Sequence, residues 1–283
     1  MHIFITGATG YIGGAVAKAL RGAGHDVAAL VRPDAETRAL RDLGVVLVTG
    51  DLESLPSLAD TLGSYDAIVH AAFSNRQGPD TDRIAVDVFT AAGKPLVYTS
   101  GVWVLGNTTS ANESTPAQPL ALVAWRVGHE ERVLAAGGTV LRPGCVYGGK
   151  QSLLADWFAA AEQNRALQLV GDGTNRWALV DVDDLADLYV RAVEQRTGGV
   201  LHGIDDSHEP LEACARAVAP NGTIEKTPLA AAREKFGPFA DALAVDQVIS
   251  SKETRAKTGW SPRRTFVQSI DEQWREWRES QRA

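Results

Sequence analysis

The 283-residue chain is poor in the features that mark most specialised proteins. Its two cysteines, Cys145 and Cys214, are too few for a disulfide scaffold and form no metal-ligand cluster, so both are expected reduced, as small buried hydrophobes. Long apolar runs are missing, and residue 1 leads straight into a core-like strand, which leaves no expected room for a secretory leader or a membrane span. No concentrated basic stretch interrupts the net charge of −7, which argues against nucleic acid or an anionic membrane as partner. None of the five tyrosines, Tyr11, Tyr65, Tyr98, Tyr147 and Tyr189, has a lysine four residues further on. What remains, 45% apolar and 22% charged residues without repeats, is the balance of a cytosolic globular protein with a large core.

One motif stands out against that background. The apolar run His2 to Ile5 leads into Thr6-Gly7-Ala8-Thr9-Gly10-Tyr11-Ile12-Gly13, and Ala15, Val16, Ala19 and Leu20 follow at helical spacing. A strand, a glycine-rich turn and a helix N-terminus together place backbone N–H groups and partial positive charge where a dinucleotide pyrophosphate binds. Further β-branched runs at 26–31, 45–49, 66–70, 95–100 and 138–142 alternate with helical patterns at 34–43, 55–62, 80–92 and 120–136. That alternation predicts an α/β fold, a doubly wound parallel sheet of Rossmann type over residues 1–142. Past Pro143 the rhythm breaks. A helix at 152–164, a strand at 200–204 able to rejoin the sheet, and an amphipathic stretch at 267–278 suggest that 143–283 builds mainly a smaller lobe over the strand ends, where substrate binds.

The landmarks resemble the extended and atypical short-chain dehydrogenases/reductases of the NAD-dependent epimerase/dehydratase family. They are TGATGYIGG at 6–14, GDL at 50–52, HAA at 70–72, YTSGVWVLG at 98–106, ESTP at 113–116, LRPGCVYG at 141–148, GDGTNRW at 171–177, VDVDDLADL at 180–188 and SSKETRAKTGWSP at 250–262. The resemblance assigns Gly7, Thr9, Gly10, Tyr11, Ile12 and Gly13 to the pyrophosphate turn and Asp51 with Leu52 to the adenine. It sets Ala71, Ala72, Thr99 and Pro143 along the cofactor. Asp51 also suits a turn or helix cap, and His70 reads as a core histidine. Arg32 stands where NAD enzymes of the family usually keep an aspartate, and guanidinium–phosphate pairing favours NADP over NAD there, with Asp34 leaving the choice open.

At the chemical centre the chain departs from its relatives. The family's serine falls on Gly101, with Ser100 just before it, and the tyrosine and lysine fall on Leu122 and Arg126. Arg126 is expected either at the nicotinamide ribose or on the helix surface, paired with Glu130 at i, i+4. The missing proton donor has four candidates: Tyr147 first, then Ser100, Cys145 and His129. Cys145, Arg176 and Trp177 are the substrate-side candidates, with Arg176 suited to a phosphate or carboxylate. Asp181, Asp183 and Asp184 read as a helix start rather than a metal site, and the seven tryptophans mostly as core. The expected activity is NAD(P)-dependent oxidoreduction, isomerisation or dehydration of a small carbonyl or hydroxyl compound by hydride transfer. A silent NAD(P)-binding regulator and a sugar-nucleotide epimerase are the alternatives, and a homodimer is an open option.

Overall fold

The computed structural model describes residues 1–73, 78–149 and 151–282. Strands β1 (His2–Thr6), β2 (Asp26–Val31), β3 (Val46–Thr49), β4 (Ala67–His70) and β5 (Leu96–Thr99) alternate with helices α1 (Tyr11–Gly22), α2 (Arg38–Asp42), α3 (Ala59–Leu62) and α4 (Pro79–Ala91). Next come β6 (Thr108–Ala111), α5 (Arg126–Ala135), β7 (Thr139–Pro143), β8 (Cys145–Tyr147), α6 (Ala155–Glu162), β9 (Leu167–Val170), β10 (Leu179–Asp181), α7 (Val182–Gln195) and β11 (Gly199–Gly203). The remainder is α8 (Leu211–Val218), β12 (Ile224–Thr227), α9 (Leu229–Phe236), α10 (Phe239–Leu243), β13 (Gln247–Ile249), α11 (Lys252–Thr258) and α12 (Ile270–Arg282).

Seven parallel strands form the central sheet in the order β11-β7-β5-β4-β1-β2-β3. Because helices cover both faces, β1 is buried on both sides: Ile3 and Ile5 pack toward α1 and α7, and Phe4 packs toward Phe89 of α4. The strand order reverses between β1 and β4, and at such a switch point the carboxyl ends of the strands open a crevice for ligand. β11 pairs with β7 in register from Gly199↔Thr139 to Gly203↔Pro143. A separate core gathers Tyr147, Phe158, Phe266 and Trp277 between α6, α8 and α12.

Several helices are shorter than their sequence patterns. The segment expected to be helical from Asp34 begins only at Arg38, since a turn closes from Ala35 N–H to the Arg32 carbonyl and the Glu36 carboxylate accepts the Arg38 N–H. The 120–136 pattern divides into a 3-10 turn at Ala121–Val123 and α5 proper. No helix among the described residues is long and apolar enough to cross a membrane.

Candidate active site

The glycine turn fits a pyrophosphate. Gly7 has φ +80°, and a Cβ there would stand 2.5 Å from the Ala71 carbonyl oxygen, so the turn lies directly on the loop after β4. A Cβ on Gly13 would meet the Gly7 oxygen at 2.2 Å, which is why α1 can press against β1 only with glycine at that position. Gly10 is the N-cap of α1, where no side chain caps the helix and no acidic residue occupies the first turn. The first amides of α1 therefore face outward with their partial positive charge uncompensated. Thr9 and Gly10 are exposed above them, and Tyr11 is tied down by its hydroxyl, which donates to the Gly148 carbonyl at 2.7 Å. Arg32 at the end of β2 is exposed and loosely paired with Asp34 at 3.6 Å. Asp51 closes a turn, its Oδ1 accepting the Ser54 N–H at 2.8 Å, while Leu52 is buried against α4.

A cleft of about 740 Å³ continues from this turn across the ends of β5 and β7. Tyr11, Ile12, Ser100, Gly101, Arg126, Pro143 and Cys145 all line it, so residues from four separate stretches of sequence converge there. Ser100 is 8% exposed, and its Oγ has no partner among the described protein groups. Cys145 is buried at the wall, and burial pushes its thiol up to about 12, so it stays protonated and a poor nucleophile. Leu122 also lines the cleft and offers no polar atom.

Arg126 turns inward. Its Nη1 donates to the Thr99 carbonyl at 2.9 Å and to the Tyr98 hydroxyl at 3.3 Å, and its guanidinium lies 4.4 Å from the Trp125 ring centroid. The expected surface pair with Glu130 does not form. Glu130 instead binds Arg142 on β7, both side chains buried. Behind Arg126, Tyr98 donates to Asp82 Oδ2 at 2.8 Å, His129 Nδ1 lies 2.7 Å from the same oxygen, and His70 Nε2 lies 3.3 Å from Oδ1. His70 Nδ1 meets Thr6 Oγ1 at 2.6 Å, so polar side chains line up from the residue before Gly7 toward Arg126, interrupted where His70 Nε2 and Asp82 Oδ1 approach without an aligned hydrogen bond. Burial opposes ionisation of Asp82, yet the bond from His129 and the nearby His70 prevail and hold it well below the usual carboxylate range. Sequence reasoning missed Asp82, which is an unremarkable helix residue until β4, β5 and α5 surround it.

Other expectations are corrected. Tyr147 is fully buried with its ring on Phe266 and its hydroxyl 3.4 Å from Asp205, so it faces the core of the lobe and not the cleft. Tyr147 belongs to that core, whereas Cys145, two residues earlier on β8, borders both the core and the cleft. Arg176 donates its Nε and Nη2 to the two carboxylate oxygens of Asp246, each bond 2.8 Å, and Trp177 is buried; neither lines the cleft. The expected helix start does form: Asp181 caps α7 through the Asp183 and Asp184 amides, and Asp184 accepts from Arg263. Two of the tryptophans, Trp103 and Trp125, line the cleft, Trp103 while also packing against the lobe core. Thr99 directs its hydroxyl to Tyr189 at 2.7 Å, away from the cleft.

An α/β sheet with a glycine cradle at its switch point and a cleft beyond it defines a protein that binds a nicotinamide dinucleotide. The sequence matches the NAD(P)H-binding family over residues 7–144 and the NAD-dependent epimerase/dehydratase family over 127–202. It is 30% identical over 297 residues to a 3-diazoavenalumate denitrifying reductase of Streptomyces sp., covering 93% of this chain and 96% of that one. It is likewise 30% identical over 224 residues to a 2-alkyl-3-oxoalkanoate reductase of Stenotrophomonas maltophilia, covering 70% and 67%. Among solved structures, dTDP-glucose 4,6-dehydratase of Bacillus anthracis in complex with NAD shares the fold at a TM-score of 0.82 and 17% identity, over 100% of this chain and 98% of that one. The chain belongs to the NAD-dependent epimerase/dehydratase family.

Proposed function

We propose that the protein is a cytosolic NADPH-dependent reductase of a small carbonyl compound that works without a tyrosine–lysine pair. The observation that carries this reading is the unpartnered Ser100 hydroxyl at the wall of the cleft that Arg126 also lines. A dinucleotide held at its pyrophosphate by the glycine turn would supply a hydride to a carbonyl carbon. The chain's part is to receive the charge that then develops on oxygen. Ser100 Oγ–H donates to that oxygen and passes it a proton, which water restores to Ser100. The Arg126 guanidinium, permanently charged and braced by Thr99 and Tyr98, stabilises the oxyanion electrostatically and holds the cofactor ribose; it cannot relay a proton itself. Leu122 stands in the slot of the family's phenol and offers no proton. Gly7, Thr9, Gly10, Tyr11, Ile12 and Gly13 hold the pyrophosphate, Ala71 and Ala72 leave room for it, and Asp51 with its unshared Oδ2 meets the adenine amine beside Leu52. Arg32, exposed at the end of β2, selects the 2′-phosphate of NADPH.

Both similar proteins named above are called reductases, in agreement with this reading. The test is loss of nicotinamide absorbance with NADPH across a panel of aldehydes and ketones. Turnover that falls ten- to a hundredfold in Ser100→Ala supports the assignment. Tight NADPH binding without turnover of any panel member would instead favour a nucleotide-binding regulator.

A further inference from the structure

Five large apolar side chains are exposed in the described structure: Val46, Phe73, Leu122, Leu153 and Phe236. Three of them, Phe73 at 43%, Leu122 at 39% and Leu153 at 43%, line the same cleft. Exposed apolar surface gathered in one concave place marks a binding site, whereas scattered single residues do not. Phe73 stacks on Trp125 with centroids 5.2 Å apart and planes 15° from parallel, and the Arg126 guanidinium lies over both rings. Trp103 and Phe239 close the cleft further out.

Charge is equally selective. Among the described lining residues Arg126 is the single charged side chain, and one edge of it is taken by Thr99 and Tyr98. Arg176, the other cation expected at a phosphate, is neutralised by Asp246 outside the cleft. A nucleoside diphosphate sugar carries two negative charges and a ring of hydroxyls, and the exposed apolar surface of Phe73, Leu122 and Leu153 cannot replace their water. A flat apolar ring loses little on leaving water and gains stacking surface on Phe73.

Building on the reductase reading, we propose that the substrate is a planar aromatic carbonyl compound, uncharged or carrying at most one negative charge, whose ring lies on Phe73 and Leu122 with its oxygen toward Ser100 and Arg126. The cleft selects against sugar nucleotides.

Titration calorimetry on the protein saturated with NADP⁺, which cannot reduce the ligand, tests the site apart from the chemistry. 2-Naphthaldehyde should bind, and UDP-glucose should bind at least tenfold more weakly. Phe73→Ala and Leu122→Asp, both at exposed positions that leave the core untouched, should each weaken 2-naphthaldehyde about tenfold while NADP⁺ affinity stays within twofold. UDP-glucose binding as tightly as the aldehyde, or both variants binding the aldehyde like the parent, overturns the proposal. If 2-naphthaldehyde binds as expected but is not reduced with NADPH, the aromatic site stands and the reductase reading fails.

Discussion

Glu130 grips Arg142, not Arg126: its Oε1 accepts Arg142 Nε at 3.1 Å and its Oε2 accepts Nη2 at 2.6 Å, with both side chains almost wholly buried. One helical turn earlier, Arg126 is thereby left to turn into the cleft. The two arginines should therefore behave oppositely. Glu130→Ala strands a buried guanidinium and should cost roughly 3–5 kcal/mol in urea denaturation. Arg126→Ala should leave the unfolding midpoint nearly unchanged and weaken NADPH binding. Equal stability losses in the two variants would show that Arg126 is structural.

Tyr98 links the buried carboxylate to the cleft, donating to Asp82 and accepting from Arg126. Tyr98→Phe keeps the ring and removes only that link. It should cost roughly 1–3 kcal/mol by leaving Asp82 short of a donor. It should also lower kcat more than it raises KM, because Arg126 loses its brace while the substrate's apolar contacts stay. A variant with reduced stability and unchanged kcat would limit Tyr98 to packing.

Tyr147→Phe should retain full turnover. Its hydroxyl meets Asp205 over a long 3.4 Å in the core of the lobe, so the change should move stability by no more than about 1 kcal/mol. Lost activity in a correctly folded variant would return Tyr147 to the list of proton donors.

Burial raises the Asp205 carboxyl to about 6, against the pull of its bonds from Ser207. Between the unfolded value near 3.8 and 6, the folded state binds the extra proton, so stability falls as pH rises through that window and stays reduced above it. Asp205→Asn, neutral at every pH, should therefore raise the melting temperature at pH 8, by up to roughly 3 kcal/mol of stability. The gain should shrink toward pH 4. A gain that is the same at pH 4 and pH 8 would mean that the carboxyl titrates normally.

Arg32→Asp should exchange the cofactor preference. Losing the guanidinium contact to the 2′-phosphate should weaken NADPH by about one to two decades, less than for a buried contact because Arg32 is solvated. NADH should bind as well as before or better through its ribose hydroxyls. Equal NADPH and NADH affinities in the parent protein would remove the basis for NADP selectivity.

The parts of this protein legible in its sequence are those governed by local periodicity and backbone need. The glycines at 7, 10 and 13 are recognisable in the sequence because one sharp turn must cross the β4 loop and admit α1, and only residues without a Cβ fit so close to the backbone. The parallel sheet followed from runs of buried β-branched residues separated by helical spacing, and Leu122 and Gly101 were visible as missing functional groups. Side-chain direction was not legible. Whether Arg126 pairs with Glu130 depends on Arg142, sixteen residues downstream and on a different element. Tyr147 and Ser100 both lie at strand ends near the cleft, but β8 sends the phenol into the lobe core, whereas the end of β5 keeps the hydroxyl at the cleft wall. Asp82 gained its two histidines and its tyrosine only when three elements closed around it. Local pattern decides which backbone forms, because its energetics are set within a few residues. The partner of a charged or polar side chain is set by which strands and helices become neighbours, and that was decided only by the tertiary fold.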